Sequence, residues 1–265
     1  MQPLFEIIHE DADLLAVHKP ADLVCHPTKG DAYSSLISRV RIYLESGARD
    51  CPPPAGSPDR QPAQPHLIHR LDRETSGVVV IAKNSVAAGE LGKIWESRSV
   101  RKEYLAIVHG HVTAEAGVIA APLGKDASSP VAIKDCVRAD GHPAQTEFFV
   151  ERRFLATVGA DSAETAFSLL RLHPLTGRKH QIRIHLAHMG HPIVGDKIYG
   201  GDPDMYLALV ERRLTDEQRA RLILPHHALH ASRIEFEWRG RNREFKASPE
   251  PAFALFIASG RNIRP

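Results

Sequence analysis

Short apolar runs broken by polar turns open the chain. Leu4 to Ile8 and Leu14 to His18 flank Glu10-Asp11-Ala12-Asp13, a pattern that predicts two strands joined by a turn at the start of a β-meander. Lys19-Pro20 closes the second run. From Ser34 to Leu44 the period changes, and Leu36, Ile37, Val40 and Leu44 fall on one side of a helix. Gly47 to Pro65 then carries six of the nineteen prolines and almost no large apolar side chain, which predicts an exposed loop. The apolar pattern resumes at once with His66-Leu67-Ile68, so that loop reads as an insertion and not a domain boundary. Val78 to Ala82 is a β-branched run that suits a buried strand. Asn84 or Ser85 can cap the next helix, whose apolar positions are Ala87, Leu91, Ile94 and Trp95.

Further strands are predicted over Tyr104 to Val108, Gln145 to Val150, Phe167 to Leu172 and Ala231 to Trp238, with loops around a short strand from Pro122 to Gly141. Gly177 to Met189 reads as a helix, with Ile182, Leu186 and Met189 on one face. Gly190 fits the position just past its end, and Pro192 blocks continuation. A polar helix is predicted from Asp204 to Leu222. Helices and strands mix without strict alternation, so the class is α+β, in a single domain over residues 1–265.

Composition narrows the setting. Hydrophobic residues make up 43% and charged residues 25%, ordinary for a globular protein. No apolar run approaches the ~18 residues of a membrane span, and the N-terminus lacks the basic and apolar regions of a signal peptide. Cys25, Cys51 and Cys136 are isolated and odd in number, which points to reduced thiols in the cytoplasm. No large unexplained apolar stripe stands out, which favours a monomer. Net charge is only +2, a weak argument for nucleic acid. Its distribution says more: Arg171 to Gly195 contains no Asp or Glu but holds Arg171, Arg178, Lys179, Arg183 and five histidines. Such a patch suits phosphates, although a solvated basic face would look the same.

Two stretches carry chemistry. His66-Leu-Ile-His69-Arg70-Leu71-Asp72-Arg73-Glu74-Thr75-Ser76-Gly77 packs acids, arginines and histidines into a loop ahead of a buried strand, a common place for catalytic groups and also for plain local ion pairs. Thr176-Gly177-Arg178-Lys179-His180-Gln181-Ile182-Arg183-Ile184-His185, if helical, puts His180, Arg183 and Ala187 on the face away from Ile182 and Leu186. It also sets backbone N–H groups at a helix start that suits an anion. An amphipathic helix with a basic outer face fits equally. The clustered histidines show no HExxH or C-x-x-C spacing, and His180 and His188 are too far apart along a helix to share one ion, so no metal site is expected.

Taken together, these stretches resemble the RluA family of RNA pseudouridine synthases. Asp13-Leu-Leu-Ala-Val-His-Lys19-Pro20, His69-Arg-Leu-Asp72 with Thr75-Ser-Gly77, and Arg101-Lys-Glu-Tyr104-Leu-Ala106 follow the family's order. So do Thr176 to His185, Gly190-His-Pro-Ile-Val-Gly195-Asp196, Tyr199-Gly200 and Leu229-His230-Ala231. The resemblance implies a mixed, largely antiparallel central sheet with flanking helices around an RNA-binding cleft.

It also implies roles. Asp72 matches the catalytic carboxylate of a reaction that breaks the uridine C1′–N1 bond and rejoins the base through C5. That carboxylate can attack C1′ or remove the C2′ proton, and no cofactor is needed. Arg183 matches the residue that pairs with it and keeps it ionised. Tyr104 matches the active-site tyrosine, able to stack on the displaced base and assist proton removal from C5. The target uridine must be flipped out, and Arg70 matches the arginine that fills the vacated space. His69, Arg178, Lys179, His180 and Gln181 are expected as RNA contacts. The catalytic region is expected to begin at once, without the S4-like domain of many relatives. Ribosomal RNA and transfer RNA are both candidate partners, with a slight lean toward tRNA or dual targets. A catalytically silent RNA-binding protein of the same fold, and a histidine-based metal hydrolase, are the competing readings.

Overall fold

A computed structural model of the chain describes residues 5–27, 34–50, 64–158, 163–202 and 204–262. The chain divides into two compact units, Met1–Arg101 with Ala231–Ser248 and Lys102–His230 with Pro249–Pro265. Among the described residues no helix is long and apolar enough to cross a membrane.

The first unit opens with the expected hairpin. β1 (Glu6–Glu10) pairs antiparallel with β2 (Leu14–Lys19), and Asp11 closes the turn by accepting the N–H groups of Asp13 and Leu14. Helix α1 (Leu36–Asp50) starts where Ser35 accepts the Ser38 N–H, and it takes in the first four residues, 47–50, of the stretch read as a loop from Gly47. Residues 51–63 of that proline-rich stretch lie outside the described residues. The short β3 (His66–Leu67) leads through the Asp72 loop into β4 (Ser76–Ala82), which is buried at every position and pairs antiparallel with β2. Its Val and Ile side chains belong on a strand covered on both faces. Asn84 caps α2 (Ser85–Glu96), accepting the Ala87 N–H, and the helix buries Ala87 and Leu91 as its apolar spacing requires.

The second unit begins with β5 (Arg101–His109), β6 (Ala116–Ala120) and the hairpin of β7 (Leu123–Lys125) and β8 (Asp135–Val137). Its frame is a long antiparallel pair, β9 (Gln145–Val158) and β10 (Ala163–Pro174), with β5 on β10 and β6 on β9. Both long strands extend well past the apolar cores that marked them in the sequence. The helix expected over 177–189 is shorter, α3 (Gln181–His188). The polar helix expected over 204–222 is two, α4 (Asp204–Val210) and α5 (Asp216–Leu222). The break has a physical cause. Arg212 adopts a left-handed φ of 56°, and Thr215 and Gln218 form a reciprocal capping box that starts a new helix.

The chain then returns to the first unit with β11 (Leu229–Trp238), next to β4, and β12 (Arg241–Lys246), antiparallel to β11. Ile234, Phe236, Trp238 and Phe245 complete a core with Leu14, Val78, Val80 and Leu91. Gly77, just after the Asp72 loop, takes φ +121°, and a Cβ there would lie 2.3 Å from the Ala231 carbonyl oxygen, so only glycine lets these strands approach. The second unit closes with α6 (Pro251–Ser259) and β13 (Arg261–Asn262), the latter paired with β9. Phe253 joins Phe148, Phe154, Phe167, Leu170 and Leu186 in that unit's core. The class is α+β with a mixed, mostly antiparallel central sheet, as the family resemblance implied.

Candidate active site

In the first unit, Asp72 sits half-buried on the loop between β3 and β4, where its own carbonyl accepts the Thr75 N–H at 3.2 Å. The loop is braced from below by Lys19. This side chain is fully buried, and its ammonium donates to the carbonyls of Pro20 (2.7 Å), Leu23 (2.9 Å) and Arg73 (3.0 Å). One charge thus ties the end of β2 to the residue after Asp72. Cys25 adds a second tie, with its sulfur 3.4 Å from both the N and O of Leu71; burial pushes its thiol pKa up, as befits a structural group.

The role of Lys19 was not legible from spacing. Its only sequence signal is a lysine ending an apolar strand immediately before proline. Lys19→Met would leave three carbonyls without their shared donor, an expected loss of about 2–3 kcal/mol. A melting curve should then shift down by roughly 5 °C or more, and an unshifted midpoint would disprove the brace.

His69 and Arg70 flank the loop differently. The His69 Nε2 accepts the Val80 N–H at 3.1 Å, and its ring stacks on Trp95 at 5.4 Å. That imidazole is part of the scaffold that holds the loop on β4. Arg70 is exposed and forms no ion pair among the described residues. The local pairing with Asp72 or Glu74 that its sequence position allowed is therefore not what holds it. Arg73 takes that kind of role instead, with Asp22 at 2.7 Å in an exposed pair worth little.

In the second unit, Tyr104 is half-buried on β5, opposite Leu172 of β10 and packed against the main core. The Thr176–Arg183 stretch differs from expectation in ways that matter. Arg178 and Lys179 lie in a turn ahead of α3, and His180 stands at the helix start with a left-handed φ of 54°. Gln181 explains the turn. Its Oε1 accepts from the Thr176 hydroxyl (2.6 Å) and the Arg178 N–H (3.0 Å), and its Nε2 donates to the Gln145 carbonyl (2.9 Å) and Thr146 Oγ1 (3.0 Å). With all four hydrogen-bonding positions filled and 4% of its surface exposed, Gln181 is a strut of the fold and not a surface contact for RNA.

His185 completes the same network. It is fully buried and its Nε2 lies 3.0 Å from the Ala121 carbonyl, which assigns the ring proton there and leaves Nδ1 to accept from the Thr146 hydroxyl at 2.9 Å. Burial lowers its pKa and keeps it neutral.

The exposed cations of the turn are Arg178, whose Nε donates to the Pro143 carbonyl, and Lys179, paired with Asp135 at 2.9 Å. The Lys102 ammonium lies near Gly177, a neighbour that sequence separation concealed.

Arg183 does not lie on an outward basic face. It is 5% exposed, and its guanidinium forms a bidentate pair with Asp196, Nε to Oδ2 at 2.7 Å and Nη2 to Oδ1 at 2.9 Å. The chain after α3 delivers that carboxylate. Val194 N–H bonds to the Ile107 carbonyl on β5, and Gly195 turns at φ +79°, where a Cβ would strike the His226 carbonyl. Asp196 also accepts the N–H groups of Ile198 and Tyr199. Burial alone would raise its pKa, but the Arg183 charge and hydrogen bonds outweigh burial and hold it well below the usual carboxylate range. The pair occupies the Nε–Nη2 edge of the guanidinium.

Among the described residues, no group of three or more His, Cys, Asp or Glu side chains could hold a metal ion.

Comparison with known proteins places this architecture. Residues 13–188 match the family model described as RNA pseudouridylate synthase. The ribosomal large subunit pseudouridine synthase D of Haemophilus ducreyi is 34% identical over 197 residues, covering 74% of this chain and 53% of that protein. The protein of the same name from Escherichia coli K12 is 30% identical over 240 residues, covering 88% and 65%. An uncharacterised RNA pseudouridine synthase of Aquifex aeolicus is 36% identical over 195 residues, covering 73% and 55%. The chain thus spans only part of the length of these curated relatives. Human RNA pseudouridylate synthase domain containing 1 shares the fold, with a TM-score of 0.70 at 24% identity, covering 98% of this chain and 89% of that one.

Proposed function

This chain belongs to the RNA pseudouridylate synthase family, and from that membership we propose that it isomerises uridine to pseudouridine in RNA, with the Asp72 carboxylate performing the chemistry. The observation that carries the proposal is the Asp72 loop itself. A half-buried acid on a loop pinned by buried Lys19 and followed by a fully buried strand is rigid support for a reacting group.

The reaction is an isomerisation in which every atom is conserved. The C1′–N1 bond breaks, C1′ joins C5, the C5 proton leaves and N1 gains one. A carboxylate suits it because it can bond or take a proton and then leave again. In this proposal the Arg183 guanidinium, already oriented by Asp196, works against the Asp72 carboxylate and keeps it ionised. Tyr104 stacks on the turning base. Arg70 takes the space that the flipped nucleotide leaves, for which its exposed guanidinium, without an ion pair among the described residues, is suited. Arg178, Lys179 and His180 meet the RNA backbone. The whole chain acts as one catalytic domain and, in this reading, as a cytoplasmic monomer.

Relatives named for the large ribosomal subunit make ribosomal RNA the first substrate to try. Purified protein incubated with unmodified ribosomal and transfer RNA transcripts, without added cofactor, should convert uridine to its C5-linked isomer in the ribosomal transcript. Nucleoside digestion followed by chromatography reads the product. Binding of both RNAs without conversion of either would instead favour a silent RNA-binding protein.

A further inference from the structure

Tyr199 touches both ends of the apparatus around α3. Its ring lies under the Arg183 guanidinium, with the Arg183 Cζ 5.1 Å from the ring centroid. Its backbone N–H donates to Asp196 Oδ1 at 3.0 Å, so ring and guanidinium are keyed to the same buried carboxylate. At the far end of the side chain, the hydroxyl stands 2.9 Å from Nδ1 of His180 and accepts the Asp135 N–H at 3.3 Å. The hydroxyl and His180 Nδ1 therefore share one hydrogen bond, whose direction follows the imidazole tautomer. The two rings meet edge-on, 5.7 Å apart at 78°.

His180 needs such an anchor. It is a non-glycine residue at φ 54°, a conformation that persists only where the surroundings impose it. The backbone of Asp135 feeds the same hydroxyl while its carboxylate holds Lys179 at 2.9 Å. Tyr199 is 8% exposed, and burial raises its pKa, so the phenol keeps its proton.

We infer that Tyr199 is a positioning residue for RNA capture: its hydroxyl fixes the His180 imidazole on the same support that fixes Arg183, so that the RNA-facing turn and the guanidinium keep one spacing. The inference rests on the proposed RNA-modifying reading, in which His180 meets the RNA.

The test separates the two ends of the side chain and reads affinity apart from turnover. Tyr199→Phe keeps the ring beneath Arg183 and deletes the hydroxyl. It should weaken RNA binding about fivefold, the worth of one hydrogen bond, and hold the single-turnover rate at saturating RNA within about twofold. Tyr199→Leu removes the ring and should slow that saturated rate by about tenfold or more. His180→Ala should weaken binding by the same factor as Tyr199→Phe, and the double variant should be no weaker than either single one.

Two results overturn the inference. One is a Tyr199→Phe protein that binds RNA like wild type and only melts earlier, as a purely structural tyrosine would. The other is a double variant whose losses multiply to about 25-fold. If the wild-type protein binds RNA but forms no pseudouridine, the proposed activity falls, while the binding arms still decide the part played by Tyr199.

Discussion

Asp196→Ala is expected to cost about 3–5 kcal/mol of stability, because it strands a charge that cannot leave the interior. Arg183 is 5% exposed and the Asp196 side chain is fully buried. The carboxylate accepts both arms of the guanidinium and two backbone N–H groups, so its removal orphans four donors at once. The pair stabilises chiefly as a pair. Removing both partners, as in Asp196→Ala with Arg183→Met, should therefore recover much of the loss.

The pH dependence follows from the depressed carboxyl. A group whose folded pKa lies below its unfolded value contributes fully above the unfolded value, near the ordinary carboxylate range, starts to lose that contribution as pH falls below it, and has lost it once pH has fallen through the folded value. Wild-type stability should then decline below about pH 4, and part of that decline should vanish in Asp196→Ala. Urea titrations at neutral and acidic pH read both effects. A loss under about 1 kcal/mol at neutral pH would show that the charge finds other solvation.

The second large effect belongs to Asp72. Asp72→Asn keeps the shape of the side chain and deletes its charge and basicity. Lys19 and Cys25 tie the loop to the fold through the Arg73 and Leu71 backbone, and the amide keeps an acceptor oxygen where the carboxylate had one, so the variant should fold with a melting temperature close to that of wild type. RNA binding depends mainly on cations that meet phosphate and should stay within a few-fold. Isomerisation should fall by about a thousandfold or more, the scale on which single reacting groups matter. A variant that binds and folds but does not turn over isolates the chemical step from every supporting role.

How much of this was written in the sequence depends on the kind of interaction. Strands β2, β4 and β5 and helix α2 were legible because local pattern and cap agree with tertiary burial. The Asp72 loop was legible from a motif. Its support was not, since the three carbonyls that Lys19 holds become neighbours only in the fold. The burial around Arg183 was not legible for a related reason. A run rich in cations fits a basic outer face as well as a buried network, yet Gln181, Arg183 and His185 are buried and bonded to Thr176, Thr146, Asp196 and the Ala121 carbonyl. Acidity thirteen residues downstream, at Asp196, was the missing partner. Two further features do carry a local signal. Thr215-Asp-Glu-Gln218 is a capping-box sequence inside the supposed single helix, and Pro251 followed by an apolar run announces α6.

The central claim is that one carboxylate carries out a base exchange. Its sharpest test is a single-turnover time course, with enzyme in excess over a ribosomal RNA transcript that both proteins bind, run for wild type and Asp72→Asn side by side. The account expects C5-linked uridine to accumulate with wild type alone. Equal accumulation in the two, or none with wild-type protein on RNA that it binds, would contradict it.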